Sequence, residues 1–553
     1  MNALRAPAVY GIVSAVIVVF GATSSTPLFG QSDAVDAGAP LIAEPVVLPR
    51  NGVTTLTLTV RTDASGRDYY EYEGQSRPPA IHVVPGGRLD VNLINHMQPL
   101  STEACVDHPC RQNTNLHFHG MEVSPRAPAD DVLTMLAAPG QQLSYTVPIP
   151  KIHPAGLFWY HPHPHGESNR QVEDGMAGAI IVDGIARYAP HVRGLRERIL
   201  VVRDNEPRST MTIVQQGFAQ LKAAVANVFH ESDVTQTRAY CSLDRASPET
   251  RVRFAAFVAQ TAAALALPSA TPPPDTHCRV AEKDDDRLTI DGVYQPTIDI
   301  APGERQFWRI VNASADTALD VDLGTPFEIV ALDGVPLAVR YPHRALRRVD
   351  HLVIPPAGRL EAIVVGPAAG PNRTLRSRCV DLGAAGDPNP EMLLARLGTA
   401  LDRPGPTVAN EVQTRTPFAG EPPGVAAAER RAPSQVIKFT EDGLGFYVNG
   451  RPFDPLDGPV IRAKVGGLER WNVVNATDEV HPFHIHQVHF LVFAEDGKRE
   501  DEPTWRDTFD VQPRSKVELV MDITNPAIRG LAVLHCHILS HEDKGMMAKV
   551  LFQ

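Results

Sequence analysis

The chain has 553 residues, too many for one core; domains of about 100–200 residues predict three or four of them. Asp and Glu outnumber Lys and Arg by 64 to 52, and the net charge is −12 with no basic block. That balance argues against a nucleic-acid partner and fits an ordinary acidic surface.

Residues 1–30 read as an export signal: Arg5, an apolar run from Val9 to Gly21, then the small residues Ala22, Ser24 and Ser25 suited to cleavage. The run falls short of the ~20 residues a spanning helix needs, so no stable membrane anchor is expected, and no later segment is apolar enough to supply one. Without a twin arginine, general export to the periplasm or medium is the expectation. Six cysteines fit an oxidising compartment. Setting Cys536 aside leaves Cys105, Cys110, Cys241, Cys278 and Cys379, an odd set. Cys241 with Cys278 is the favoured disulfide; Cys105, Cys110 and Cys379 leave one spare.

A weak internal repeat organises the rest. Segments 73–95, 291–314 and 449–477 each open with glycine, pass a proline and an alternating run, turn at glycine, and run apolar to Asn95, Asn312 or Asn475. Alternation bounded by Gly and Pro predicts paired strands, and three copies predict an all-β chain of three related β-sandwich domains, at 45–186, 190–400 and 405–553. One stretch departs from this. Phe218, Leu221, Val225 and Phe229 recur at helical spacing, as do Phe254, Phe257, Val258 and Leu265, until Pro268 and the prolines at 272–274. A helical insertion over about 205–285 is predicted in the second domain.

Histidines carry the chemistry. HFHG (117–120), HPHPHG (161–166), HIH (484–486) and HCH (535–537) place imidazoles at i and i+2, one face of an extended strand. Scattering 21 histidines at random yields about 0.8 such pairs, and five are present. They follow the first and third repeats and not the second, so those two domains should meet, with the second as a spacer or a wall of a substrate cleft. In HCHILSHEDKGMM (535–547), Cys536, His541 and Met546 supply the thiolate, an imidazole and the weak thioether of a blue-copper site, and HPFHIH (481–486) can supply the missing imidazole. Zinc also accepts histidine but has no need of that Cys-His-Met spacing.

LHFHG, WYHPHPHG, HPFHIHQ and HCHILSHEDKGMM, in that order, resemble the four copper motifs of the multicopper oxidases, and the last is similar to that of bacterial spore-coat laccases. The resemblance implies three cupredoxin-like domains and four copper ions per chain. It implies a type 1 site of His481, Cys536 and His541 with Met546 axial (Met547 is the competing candidate) and a type 2 copper on His117 and His484. The type 3 pair would take His119, His161 and His537 on one side, and His163, His486 and His535 on the other. Glu542 matches a proton-relay glutamate, and Asp130, with Asp131 as alternative, stands where the family often has an acid near type 2 copper.

The implied activity is one-electron oxidation of a small reducing substrate (a phenol, an aromatic amine or a metal ion) coupled to four-electron reduction of dioxygen to water. A copper-binding periplasmic protein without turnover, or a metal-ion oxidase for copper resistance, is the alternative. Ten methionines without a methionine-rich segment argue against a dedicated cuprous oxidase. His165 is expected outside the ligand set, and His489, though close to the third motif, is expected to be hydrogen-bonded or exposed rather than at the blue-copper rim.

Overall fold

A computed structural model describes residues 38–98, 112–204, 288–398 (except 369, 371 and 372), 407–408 and 420–553 (except 443 and 444). The export signal, the 205–285 insertion, and Cys105, Cys110, Cys241 and Cys278 lie outside the described residues. Cys379 is disulfide-bonded, so it is not the spare thiol. Among the described residues, no helix is long and apolar enough to cross a membrane.

The repeat seen in the sequence is a repeat of hydrogen bonding. Each copy starts at a tight turn with two successive positive φ values: Glu73–Gly74 (47° and 77°), Asp291–Gly292 (51° and 79°) and Asn449–Gly450 (53° and 74°). That backbone matches the twist of the flanking strands, which is why an acidic or amide residue followed by glycine recurs there. Each copy then ends in a strand, Arg88–His96, Arg305–Asn312 or Gly467–Asn475. These pair in parallel with Val53–Thr62, Arg196–Arg203 and Gln435–Asp442 respectively.

The asparagine that closes each copy is buried. Its Nδ2 donates to backbone carbonyls: Gln112 and Ala137 for Asn95, Thr317, Ile354 and Pro355 for Asn312, Glu479 and Val511 for Asn475. Its Oδ1 accepts the N–H of Met97, Ser314 or Thr477. A buried amide is tolerated only when so paired, and a carboxylate could not donate.

The strands form an all-β architecture of cupredoxin-like sandwiches. In the N-terminal region a four-stranded sheet faces a five-stranded sheet, and the C-terminal region repeats this with seven and five strands. Leu58, Val60, Leu93 and Phe118 fill the first core, while Trp471, Phe483, Phe490 and Leu534 fill the last. The middle region is built around one eleven-stranded sheet. Two edges matter for the site. His117–His119 is the outermost strand of its sheet, and His481–Ile485 lies one strand in from the edge of the corresponding C-terminal sheet. The helices Ser168–Glu173 and Leu539–Asp543 pack together across the same seam.

Candidate metal centres

Strand register assembles eight histidines at the seam. His117–His119 pairs antiparallel with Gly156–His161, setting His117 opposite His161. Strand alternation turns Phe118 into the core and leaves His117 and His119 on the other face. In the C-terminal sheet, His484 lies opposite His535 while Phe483 lies opposite Cys536. The phenylalanine and the cysteine enter the core; the histidines face the seam. Strand Gly530–Cys536 ends at the cysteine, and His537 follows in a bend.

The two sets of rings interleave. His117 stacks on His486 with centroids 3.7 Å apart, and His119 stacks on His484 at 3.9 Å. His535 Nε2 lies 3.3 Å from both His163 Nε2 and His486 Nε2. The rings of His119, His161 and His537 lie 5.1–5.7 Å from one another. All eight are at most 2% exposed.

This burial decides the charge state. Desolvation first, then mutual repulsion, holds His119, His161, His163, His484, His486 and His537 far below the usual imidazole range, and desolvation, with a smaller push from His117, takes His535 to about 3. They are neutral and present lone pairs. His117 Nε2, His119 Nδ1, His161 Nε2, His484 Nε2 and both nitrogens of His537 are buried without a hydrogen-bond partner. Burying so many bare acceptors is costly unless a cation takes them. The opposite nitrogens are mostly held, as metal-binding imidazoles require. His161 Nδ1 donates to Pro162 O (2.9 Å), His484 Nδ1 to Asp507 O (2.8 Å) and His535 Nδ1 to Cys536 O (2.9 Å). The donor set fits several borderline cations held by imidazole.

Two acids named from the sequence sit against this cluster. Asp130 is 1% exposed. It lies 3.0 Å from His117 Nδ1 and accepts Phe118 N (3.0 Å) and Gln487 Nε2 (2.6 Å), so it fixes the ring whose Nε2 is free. Asp131 instead caps its own turn through Leu133 N, Thr134 N and Thr134 Oγ1. Glu542 has no exposure. Its Oε2 lies 3.1 Å from His535 Nδ1, its Oε1 lies 3.5 Å from His163 Nδ1, and Oε1 accepts the Ser168 hydroxyl at 3.1 Å. Burial, reinforced by the neighbouring Asp543 charge, pushes its carboxyl well above the usual range. Asp543 in turn accepts backbone N–H groups of Gly166, Ser168 and Asn169, binding the helix of Glu542 to the loop of HPHPHG.

On the other face of the same strand lies a sulfur site. Cys536 Sγ is 3.5 Å from His481 Nδ1 and 3.9 Å from His541 Nδ1, and all three residues are buried. Burial pushes the thiol well above its ordinary range, so a thiolate here calls for a cation beside it. Met546 shares the core cluster of Cys536 and Ile538, whereas Met547 packs on Val132, Val533 and Phe453 in a separate cluster. Met546 is therefore the axial candidate. Were copper to occupy this site, a weakly bound axial thioether would tune its potential, so Met546→Leu should raise the reduction potential and keep the blue colour, and Met547→Leu should do much less. Voltammetry of the two variants checks this; the reverse order would exchange their roles.

The sequence reading missed several contributors. Thr477 Oγ1 lies 2.9 Å from His481 Nε2 and 2.8 Å from Asn475 Oδ1. The third repeat asparagine, through that hydroxyl, sets the imidazole so that Nδ1 faces sulfur. Asp507 and Arg359 reach the histidine cluster, with no motif around either to mark them. His489 is hydrogen-bonded, as expected: it lies 3.1 Å from Glu122 and bonds the Asp333 carbonyl. One expectation needs correction. The middle region is more than a spacer, because Arg359, on its strand Arg359–Val365, reaches the seam. His165 stands outside the eight, with its ring 4.7 Å from that of Phe453.

Residues 54–186 and 426–553 each match a family model described as multicopper oxidase. A multicopper oxidase of Staphylococcus aureus is 21% identical over 492 residues, covering 87% of this chain and 83% of that protein. A laccase of Bacillus subtilis is 28% identical over 294 residues, covering 47% of this chain and 53% of its own. Among solved structures, the multicopper oxidase of Campylobacter jejuni, described as a metallo-oxidase, has a TM-score of 0.61 at 21% identity, covering 94% of this chain and 97% of its own. McoA of Aquifex aeolicus has a TM-score of 0.62 at 19% identity, covering 94% and 100%. These structural likenesses concern the fold.

Proposed function

This chain belongs to the multicopper oxidase family, and from that premise we propose that it is an exported, laccase-like oxidase of the periplasm or medium. It would take electrons singly from a small reducing substrate at a type 1 copper and pass four of them to dioxygen at a trinuclear cluster. His481, Cys536 and His541, with Met546 axial, would hold the type 1 ion. His117 and His484 would hold type 2; His119, His161 and His537, and His163, His486 and His535, would hold the type 3 pair. Bound copper supplies the electron transfer and the oxygen-binding positions.

One observation carries the reading. Cys536 turns into the sulfur site while its neighbours His535 and His537 belong to the eight-histidine cluster. A few covalent bonds therefore join the point of electron entry to the point of oxygen chemistry. Zinc would be satisfied by either set alone and gives no reason for that link. The remaining work falls to the protein. Asp130 holds His117 in its tautomer, and Glu542, pushed up by burial, keeps a proton beside His163 and His535.

A second reading concerns the donor. Glu441 and Glu479 each come within 3.8 Å of a type 1 imidazole, at His481 Nε2 and His541 Nε2. Burial and the charges of Glu441 and Asp387 push Glu479 up to about 8. Glu479 is thus largely uncharged at neutral pH, and the carboxylate of Glu441 beside His481 favours a metal ion or a protonated amine over an anionic donor.

Copper-loaded protein should contain four copper ions per chain, show an intense blue band, and consume oxygen with a phenol, Fe(II), Mn(II) or Cu(I) as donor. A colourless protein holding one zinc ion would refute the reading. A blue protein that consumes no oxygen with any donor would reduce it to copper storage.

A further inference from the structure

HFHG ends in Gly120, at φ +79°, and a Cβ there would collide with Asp507 Oδ2 and Arg359 Nη2. The space is tight because a charge pair fills it, with Arg359 1% and Asp507 0% exposed. Arg359 Nη1 donates to Asp507 Oδ1 at 2.7 Å and Nη2 donates to Oδ2. The other guanidinium hydrogens reach the Ala357 carbonyl (3.0 Å) and the Leu157 carbonyl (3.4 Å). Asp507 Oδ1 also accepts the Thr508 hydroxyl at 2.9 Å and lies 3.3 Å from His119 Nε2. Its backbone carbonyl accepts His484 Nδ1–H. One residue thus touches a histidine of the N-terminal region and one of the C-terminal region, and its charge partner comes from the middle region.

We propose that Arg359 is a positioning residue for the oxygen-reducing cluster: its two-pronged grip on Asp507 keeps that carboxylate on His119 Nε2, so that Nδ1 faces the metal. The inference rests on the oxidase reading. A carboxylate in a dry site turns towards whatever donors remain. His489 Nε2 stands 3.7 Å from Asp507 Oδ2 on the side away from His119 Nε2's partner, Oδ1. Without Arg359, Asp507 would swing towards His489 and release His119 to rotate. Lysine offers a single point charge and no planar fork, so it should restore the hold only in part.

The test compares copper-loaded, full-length wild type, Arg359→Met and Arg359→Lys by copper analysis, absorption and EPR. Loss of a group that hydrogen-bonds a metal ligand typically lowers metal affinity about 10–100-fold, and Arg359 acts through such a group, Asp507. Arg359→Met should keep the blue band and type 1 EPR signal, lose the near-ultraviolet band of the binuclear pair, and alter the type 2 signal. Arg359→Lys should fall between. A methionine variant with full copper and unchanged cluster spectra overturns the inference, as does a lysine variant equal to wild type. If the methionine variant does not fold, Asp507→Asn decides, since it keeps the volume. Retained type 1 copper with a depleted cluster supports the proposal, and an intact cluster overturns it. Wild type lacking cluster spectra would sink the oxidase reading and this inference together; wild type showing them, with unchanged variants, would sink this inference alone.

Discussion

Cys536→Ser should abolish the blue band and steady-state oxygen consumption together, while most copper in the eight-histidine cluster remains. The sulfur faces His481 Nδ1 at 3.5 Å and His541 Nδ1 at 3.9 Å in a buried site. Serine fits that space, but its hydroxyl keeps its proton and binds a soft ion poorly. Turnover should fall by more than the ~100-fold upper range of outer-shell changes, because electron entry itself is lost. The backbone around the cysteine is held independently of sulfur: Cys536 N donates to Met546 O, and His535 lies opposite both His484 and Met547. The seam histidines should therefore keep their places, with a stability loss of about 1–3 kcal/mol for burying a hydroxyl. Metal analysis, absorption and an oxygen electrode read all three quantities. A serine variant stripped of cluster copper would mean that the two centres assemble as one unit.

How much of this was legible beforehand depends on how locally each feature is written. The His-x-His pairs were legible because a strand's two-residue period is strictly local, and an imidazole pair on one face has few structural uses. The repeats were legible for a similar reason: a turn with two positive φ values demands residues such as Asn449–Gly450, and the buried amide hub demands asparagine. Asp507 and Arg359 were not legible. They are 148 residues apart, and each looks like any surface charge until the strands of two regions meet. Thr477 was half legible; its place after Asn475 was visible, but its bond to His481 depends on how the loop folds back. His489 follows HIH closely, yet Gln487 between them takes a left-handed φ of 64° after the strand His481–Ile485 has ended, and the ring bonds Glu122 and Asp333.

The middle region shows the limit of motif counting. With no histidine pairs it reads as a spacer, yet its contribution is a charge rather than a ligand. Arg359 is one buried charge among several at that junction. Glu361 accepts Leu157 N of the first region and pairs with Arg309. Such pairs are weak evidence for stability, since desolvation offsets much of their attraction. Their geometry nonetheless fixes how the regions dock, and the docking sets the distance between the two halves of the cluster.

Glu542→Ala should separate electron entry from oxygen chemistry. Glu542 sits in the short helix Leu539–Asp543, immediately after His541, the proposed type 1 ligand, yet its carboxylate points to the other centre, 3.1 Å from His535 Nδ1 and 3.5 Å from His163 Nδ1. Burial, reinforced by the Asp543 charge, holds the carboxyl well above its ordinary range, which favours the protonated form a proton donor needs, and the Ser168 hydroxyl donates to its Oε1. Oxygen reduction to water needs four protons for four electrons, and a positioned acid is typically worth ~10²–10⁴-fold. The alanine variant should keep its blue band and its anaerobic reduction by donor, while turnover falls by about that factor. Glu542→Asp, with a shorter reach to both imidazoles, should lie between. If Glu542 merely braced the helix, thermal stability and copper content would fall together with activity. Stopped-flow reoxidation of the fully reduced, fully copper-loaded alanine variant distinguishes the two roles: reoxidation by dioxygen at the wild-type rate would rule out proton delivery by Glu542, and slow reoxidation with intact copper would leave proton delivery as its role.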